Sequence, residues 1–122
     1  MKVLVIDDEP IVRRSLRRAL ELKGHEVEEG EDGLKGLEKW HAWAPEIVFL
    51  DVLMPGLSGP AVLEEIRGRH DAKVVLMSAY SGDYDLEKLK AMGADCFIAK
   101  PFADIFAVVE RAEALHRGQK DG

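Results

Sequence analysis

The sequence predicts an α/β fold, a doubly wound parallel sheet of five strands with helices on both faces. Short apolar runs alternate with helical patterns five times along the chain, which is typical of this class and of its right-handed crossovers. Four runs are too short for buried helices, and three of them are continuously apolar and rich in β-branched residues, as expected of strands buried on both faces. The four runs are residues 3–6, 47–50, 74–77 and 96–99.

The remaining strand is predicted over residues 25–29, which are mostly polar, so we expect it at an edge of the sheet. Apolar residues at helical spacing predict a helix after every strand. They are Val12, Leu16, Ala19 and Leu20, then Leu34, Leu37 and Trp40, then Val62, Leu63 and Ile66, then Leu86 and Leu89, and finally Ile105, Val108, Val109, Ala112 and Leu115. We expect the helix ends to be marked by Pro10, Gly24, Asp32, Asp83 and Asp104.

The composition indicates one globular domain, which we place at residues 1–118, followed by a frayed tail at residues 119–122. A chain of 122 residues, 47% hydrophobic and 33% charged, is long enough to bury a core and is unlike a disordered or fibrous chain. Its formal net charge of −6 disfavours direct nucleic-acid binding, which needs clustered Lys and Arg. One such cluster, formed by Arg13, Arg14, Arg17 and Arg18, is either a solvated helix face or a docking surface.

Two further features narrow the class of protein. Cys96 is the single cysteine, which excludes an intrachain disulfide or a cysteine zinc site, and its apolar neighbours suit a buried thiol. The sequence has no signal-peptide pattern and no apolar stretch long enough to span a bilayer. We therefore expect a cytoplasmic protein without membrane contact.

Polar side chains follow four of the predicted strands. Open α/β sheets bind ligands at the carboxyl ends of their strands. Asp7 and Asp8 follow the first strand, Asp51 the third, Ser78 the fourth and Lys100 the fifth. Each of these residues taken singly has an ordinary structural explanation, such as a helix cap or a turn. Together they predict one site with three carboxylates, a hydroxyl group and an ammonium group.

The three carboxylates predict a divalent metal ion. Two carboxylates about 4 Å apart repel by roughly 4 kcal/mol at an effective dielectric of about 20, so three together are costly without a cation. An oxygen-only site suits a hard ion, Mg²⁺ in particular. A carboxylate beside such an ion can attack a phosphoryl group and form an acyl phosphate. We predict this role for Asp51, with Lys100 supplying positive charge and Ser78 a hydrogen bond to a phosphoryl oxygen.

These residues resemble those of a known family, the receiver domains of two-component response regulators. The resemblance covers essentially the whole chain and is carried by four segments, each at a strand end: residues 3–9 (VLVIDDE), 50–59 (LDVLMPGLSG), 78–79 (SA) and 100–102 (KPF). It implies a flavodoxin-like sheet with strand order 2-1-3-4-5 and five helices. It also implies a phosphorylatable switch that signals by changing its binding surface.

The resemblance implies a role for each residue of the site. Asp51 is the phosphoacceptor, Lys100 contacts the phosphoryl group, and the bond from Lys100 to Pro101 is cis in the family. The ion is Mg²⁺, with Mn²⁺ as a substitute, and its ligands are Asp8, Asp7 through a water, Asp51 and the backbone carbonyl of Leu53. Such a chain catalyses its own phosphorylation and dephosphorylation, and we expect no external substrate.

The family's switch couples two positions to phosphorylation, which match Ser78 and Phe97 here. Simple core packing is the alternative interpretation of Phe97. A phenylalanine cannot donate a hydrogen bond, so its inward state would be held by packing alone. Two further positions, matching Leu53 and Tyr80, tune dephosphorylation in the family. Because an apolar Leu53 cannot orient an attacking water and Tyr80 would shield the group, we expect a long-lived phosphoryl group.

Particular residues disfavour two alternative functions. Metal-dependent phosphohydrolases of the haloacid-dehalogenase-like class also form an aspartyl phosphate, but they usually carry a second Asp two residues after the nucleophile, where this chain has Leu53. They also tend to need a cap domain, for which this chain is short. A degenerate receiver that acts only as a binding module is disfavoured by the intact set of Asp7, Asp8, Asp51, Ser78 and Lys100.

The resemblance implies partners by class. The phosphodonor is a sensor histidine kinase or a histidine phosphotransfer protein, and the reader is an unknown downstream protein. The domain is expected to be a monomer or a phosphorylation-dependent dimer. We expect the first helix to meet the phosphodonor, and the face of the fourth helix, fifth strand and fifth helix to meet the reader. The sequence leaves open whether the effector is a separate protein or part of a longer chain.

Overall fold

A computed structural model describes residues 1–79 and 86–118 of the chain. Five parallel strands form one sheet in the order β2-β1-β3-β4-β5, which confirms the predicted fold class, the strand order and the edge position of the polar strand. The strands are β1 (Lys2–Ile6), β2 (Glu26–Gly30), β3 (Ile47–Asp51), β4 (Lys73–Ser78) and β5 (Cys96–Ala99). The helices are α1 (Pro10–Leu22), α2 (Gly33–Trp43), α3 (Gly59–Ile66), α4 (Leu86–Ala91) and α5 (Ile105–His116).

The core forms two apolar layers, one on each face of the sheet. Successive strand residues point to opposite faces, so Val3 and Val5 pack with α1 and α5, whereas Leu4 and Ile6 pack with α2, α3 and α4. Cys96 is buried in the first layer, as predicted. The continuous apolar character of the central strands is therefore explained by burial on both faces. In the described part of the chain, every helix is too short or too polar to cross a membrane.

Side-chain oxygens cap three of the helices at their first turn. Asp32 accepts a hydrogen bond from the backbone N–H of Lys35 at 2.8 Å, which confirms one predicted cap. Asp104 accepts from Phe106 and Ala107 at 3.0 and 3.2 Å, which confirms another. Each cap of this kind contributes about 1 kcal/mol. Ser58 caps α3 in the same way and was not predicted. The predicted cap Asp83, together with Tyr80 and the predicted tail at residues 119–122, lies outside the described residues.

Leu34, one of the apolar residues whose spacing predicted α2, does not lie on the buried face of that helix. Its side chain is 61% exposed, whereas Trp40 is 2% exposed. The inward face of α2 is instead occupied by Gly33 and Gly36 together with Trp40. A Cβ atom added at Gly36 would lie within 2.7 Å of three side-chain atoms of Ile6. The helix therefore approaches the sheet too closely for a large residue, and a search for large apolar residues overlooks the glycines.

Gly59 begins α3 directly against the end of β3. Its N–H donates a 3.0 Å hydrogen bond to the carbonyl of Val52. A Cβ atom at this position would lie 2.4 Å from the carbonyl oxygen of Asp51, which is backbone and cannot rotate away. Glycine is therefore required here by close approach, and the contact holds the backbone of Asp51 in place.

Substitution of Gly59 by Ala should destabilise the fold by roughly 1–3 kcal/mol, because the added methyl group forces α3 away from β3. Urea denaturation measures the loss. Gly24→Ala is the control, since a Cβ there meets nothing within 4 Å and only the left-handed backbone is strained. Amide chemical shifts of residues 51–53 should move in Gly59→Ala and stay unchanged in the control. Unchanged shifts in both variants would contradict the proposed contact.

Candidate functional site

The predicted site residues meet at the carboxyl edge of the sheet. Parallel pairing places Ile6 beside Leu50, Asp51 beside Met77 and Ser78 beside Ala99, so the residues that end these strands share one edge. Four of the five polar residues there are almost fully buried, with exposed fractions of 0% for Asp7, 3% for Asp51, 1% for Ser78 and 9% for Lys100. The structure thus gathers these residues, as the sequence predicted.

Asp7 is held by hydrogen bonds from three directions. Its backbone N–H donates to the carbonyl of Gly30 at 3.1 Å. Its Oδ1 atom accepts from the backbone N–H of Glu9 at 2.8 Å, and its Oδ2 atom accepts from Nζ of Lys100 at 2.9 Å. A buried carboxylate with this many partners has little freedom to rotate.

Three carboxylates converge at this edge. Oxygen atoms of Asp7, Asp8 and Asp51 all lie within 4.8 Å of one another, and this is the only such group of potential ligands in the described ranges. The side chain of Asp8 is open to solvent, whereas the other two are buried. An oxygen-only donor set with one accessible side fits a hard divalent cation such as Mg²⁺, which keeps several of its waters.

Lys100 supplies the positive charge of the site. Its Nζ atom lies 2.9 Å from Oδ2 of Asp7, 3.4 Å from Oδ1 of Asp51 and 3.7 Å from Oε1 of Glu9. Burial alone would lower the pKa of Lys100, but the hydrogen bond and the negative charge of Asp7 raise it above its usual value. The side chain therefore remains an ammonium ion. The peptide bond from Lys100 to Pro101 is cis, as expected from the resemblance.

Burial makes two of the carboxylates weak acids. Desolvation, together with the charge of Asp7, raises the pKa of Asp51 to about 7, and Lys100 offsets only part of this effect. Desolvation also raises the pKa of Asp7, against the hydrogen bonds from Glu9 and Lys100. In the absence of a divalent cation, the edge therefore holds a proton near neutral pH. A cation would favour the charged forms and displace that proton.

The other predicted residues occupy the surroundings of this group. Leu53 follows β3, and its side chain is 57% exposed, so it does not pack among the carboxylates. Phe97 lies in β5, half-buried against the layer that includes α4, which is compatible with both core packing and a switch. Its role thus stays a prediction. One contact was missed by the sequence interpretation: Arg13 donates a hydrogen bond to the carbonyl of Asp7 at 2.7 Å. The position of Arg13 at the start of α1, shortly after Asp7 and Asp8, was the feature of the sequence that could have indicated this contact.

Comparison with known proteins places this chain in a family. The family described as "Response regulator receiver domain" matches residues 3–111. The transcriptional regulatory protein CseB of Streptomyces coelicolor is 36% identical over 115 residues, which cover 94% of this chain and 49% of that protein. Response regulator MprA of Mycobacterium tuberculosis is 36% identical over 122 residues, which cover 98% of this chain and 52% of that protein. The chain thus spans about half the length of these relatives.

Solved structures agree with the family match. The response regulator protein TrrA from Thermotoga maritima, in complex with Mg²⁺-BeF, is 36% identical, with a TM-score of 0.81 and coverage of 93% of this chain and 97% of that one. Its similarity therefore extends over nearly the whole of both chains.

The raised pKa of Asp51 predicts how stability depends on pH in the absence of divalent ions. The folded state keeps a proton that the unfolded chain loses near pH 4, so the stabilising contribution is complete below that pH and is lost as the pH rises through about 7. We expect Asp51→Asn to be more stable than the wild type at pH 7.5 by at least about 1 kcal/mol. Urea denaturation in EDTA at pH 5 and pH 7.5 measures the difference.

Asp71→Asn serves as the control for this measurement, because Asp71 is exposed between α3 and β4, at the opposite end of the sheet. Added Mg²⁺ should raise the stability of the wild type at pH 7.5 by mass action, and it should raise that of Asp51→Asn less. Equal pH dependence in the wild type and Asp51→Asn would contradict the assignment of the proton to Asp51.

Proposed function

The chain belongs to the response regulator receiver domain family of two-component systems, and on this premise we propose that it is a switch phosphorylated on Asp51. One observation carries the proposal. The buried carboxylate of Asp51 ends the central strand β3, 3.4 Å from Nζ of Lys100 and beside the carboxylates of Asp7 and Asp8. A nucleophile, a fixed positive charge and a place for a cation therefore occur together. We propose residues 1–118 as the extent of this receiver domain.

The phosphoryl transfer follows from the position of Asp51. A carboxylate oxygen of Asp51 attacks the phosphorus atom of a phosphohistidine, so a new O–P bond forms as the P–N bond breaks. The electron pair of the broken bond stays on the imidazole nitrogen. Lys100 is held by Asp7 close to Asp51, so its ammonium group can contact a phosphoryl oxygen without prior rearrangement. Catalysis of this kind consists mainly of positioning and charge neutralisation.

The three carboxylates would hold Mg²⁺, or Mn²⁺ in its place, with the backbone carbonyl of Leu53 as a further ligand. When bound, the cation supplies positive charge that offsets the carboxylates and the incoming phosphoryl oxygens. Both carboxylate oxygens of Asp7 already accept hydrogen bonds from Glu9 and Lys100, which favours contact with the ion through a water. The related TrrA structure is a complex with Mg²⁺-BeF, which supports the proposal that this chain binds a divalent ion.

The signal would leave the site through β4 and β5. Ser78 ends β4 and is 1% exposed, and its carbonyl accepts a hydrogen bond from the backbone N–H of Lys100 at 2.8 Å. A shift of Ser78 toward the phosphoryl group therefore acts on the end of β5. Phe97 lies in that strand, half-buried, and would turn inward behind Ser78. Phosphorylation has only to favour one of two existing states.

The partners are proposed by class. A sensor histidine kinase or a histidine phosphotransfer protein would supply the phosphoryl group, and an unidentified downstream protein or domain would read it. CseB is a transcriptional regulatory protein, and this chain spans 49% of it, so an effector could equally be joined to a receiver of this kind. The receiver itself, with a net charge of −6, is proposed to act without direct nucleic-acid contact, as a monomer or a phosphorylation-dependent dimer.

A phosphohydrolase is the second candidate function, since it would use the same aspartyl phosphate. The position two residues after the nucleophile decides against it. Leu53 stands there, and it has no group that could protonate a leaving alcohol.

Incubation with acetyl phosphate and Mg²⁺ should attach one phosphoryl group per chain, because the small donor replaces phosphohistidine. Intact-mass spectrometry measures the product. Asp51→Asn should abolish labelling, and Asp71→Asn should label like the wild type. Labelling that persists in Asp51→Asn would refute the assignment of the phosphoacceptor. Multiple turnover of a small phosphoester would favour the phosphohydrolase instead.

The apolar side chain of Leu53 predicts a long-lived phosphoryl group. Leu53→Asn should speed its decay by about two- to tenfold, since one hydrogen bond to the attacking water is worth roughly 0.5–1.5 kcal/mol. The loss of labelled protein with time, in excess Mg²⁺ and without a partner, gives the rate. Leu22→Asn, an exposed leucine at the end of α1, is the control. Equal decay in all three proteins would show that Leu53 has no such influence.

A further inference from the structure

We propose that Arg13 is a positioning residue for the acidic loop, defined as residues 7–9, and that it sets the affinity of the site for a divalent cation. The inference rests on the proposed function, because it concerns the metal ligands of that site. Arg13 itself is not among the ligands. It acts through the backbone of Asp7 and, by way of that backbone, on Asp8.

The guanidinium group of Arg13 joins the acidic loop to the edge strand. Its Nη1 atom donates to the carbonyl of Asp7 at 2.7 Å. Its Nε atom donates to Oε1 of Glu29 at 3.1 Å, and Glu29 lies in β2 opposite Val5. A planar guanidinium presents its donors at fixed angles, so an anchor on Glu29 determines where the bond to Asp7 can point.

Burial distinguishes this ion pair from an ordinary surface pair. The side chains of Arg13 and Glu29 are 14% and 24% exposed. Burial alone would raise the pKa of Glu29, but hydrogen bonds from Arg17 and Arg13 lower it below its usual value. The carboxylate is therefore ionised and paired. By contrast, Arg14 and Arg18 are exposed on the outer side of α1, so only half of the arginine cluster is a solvated helix face.

The orientation of Asp8 depends on the bond to Asp7. A peptide group is planar, so the carbonyl of Asp7 and the Cα atom of Asp8 move together. The N–H of Asp7, in the peptide group that precedes its Cα atom, donates a hydrogen bond to the carbonyl of Gly30 at 3.1 Å. The hydrogen bond from Arg13 restrains the next peptide group, which joins Asp7 to Asp8. The side chain of Asp8 is more exposed than the buried side chains of Asp7 and Asp51, so packing restrains it less. The backbone that Arg13 holds therefore contributes to the direction of its carboxylate.

A positioning role and a purely electrostatic role of Arg13 predict opposite changes in metal affinity when Arg13 is removed. A positive charge near a cation site weakens binding of the cation. If Arg13 acted only through its charge, its removal would strengthen binding of Mg²⁺ or Mn²⁺. If it positions the acidic loop, its removal weakens binding, because Asp8 no longer points at the ion. The sign of the change therefore separates the two effects.

The test measures Mn²⁺ binding to the whole chain by electron paramagnetic resonance of the free ion, with thermal unfolding recorded for every protein. Arg13→Gln should bind Mn²⁺ about tenfold more weakly, the size of effect seen when a residue that orients a metal ligand is lost. Arg13→Lys keeps the charge but loses the planar fork, so it should also bind more weakly.

Arg17→Gln is the matched control. Arg17 also pairs with Glu29 and bonds the carbonyl of Val27, so its loss removes the same charge and a similar ion pair. In the described part of the chain, Arg17 makes no hydrogen bond or ion pair with the acidic loop. The Mn²⁺ affinity of Arg17→Gln should therefore equal that of the wild type. Glu29→Gln, which frees Arg13 from its anchor, tests the same inference if Arg13→Gln does not fold, and it should weaken binding.

Affinity in Arg13→Gln that is equal to or tighter than that of the wild type would overturn the inference, as would an equal loss in Arg17→Gln. Labelling by acetyl phosphate separates this outcome from failure of the proposed function. A wild type labelled on Asp51, with unchanged metal affinity in Arg13→Gln, would refute only the role of Arg13. A wild type that takes neither Mn²⁺ nor the phosphoryl group would refute both.

Discussion

The crowding of negative charge at one edge of the sheet is the constraint on which the rest of the site depends. Asp7 and Asp51 are buried close to Asp8, and water cannot screen their repulsion. Among the described residues, one ammonium group, that of Lys100, forms ion pairs with both buried carboxylates, which leaves an excess of negative charge. Burial is the main cause of the raised pKa of Asp51, about 7, and the negative charge of Asp7 adds to it. An excess of negative charge of this kind favours the binding of a divalent cation at this edge of the sheet.

The contacts around the carboxylates differ between the two sides of the site. On the β1 and β3 side, glycine contacts and buried hydrogen bonds restrict the backbone. Gly59 touches the carbonyl of Asp51, and Arg13 holds that of Asp7. On the β4 and β5 side lie Ser78 and the half-buried Phe97.

Local patterns were sufficient for the elements and for most of the site. Each strand and helix appeared in the order predicted, because periodicity and burial are recorded in neighbouring residues. Asp32 and Asp104 were identifiable as caps for the same reason. The exposure of Leu34 could not be predicted from its spacing, because Gly33 and Gly36 share the inward face of α2 with Trp40. Strand order came from the family resemblance, since alternation of strands and helices permits several orders.

The sequence by itself determined which polar residues follow which strand, and hence that Asp7, Asp8, Asp51, Ser78 and Lys100 would meet at one edge. This was possible because the carboxyl ends of parallel strands share an edge. Only the tertiary structure decided that Arg13 bridges Asp7 and Glu29, and that Gly59 must be a glycine. Such contacts join segments that are distant in the chain, and a shift of a few tenths of an ångström in the distance between the atoms would change them. No local pattern of polarity records a distance of that kind.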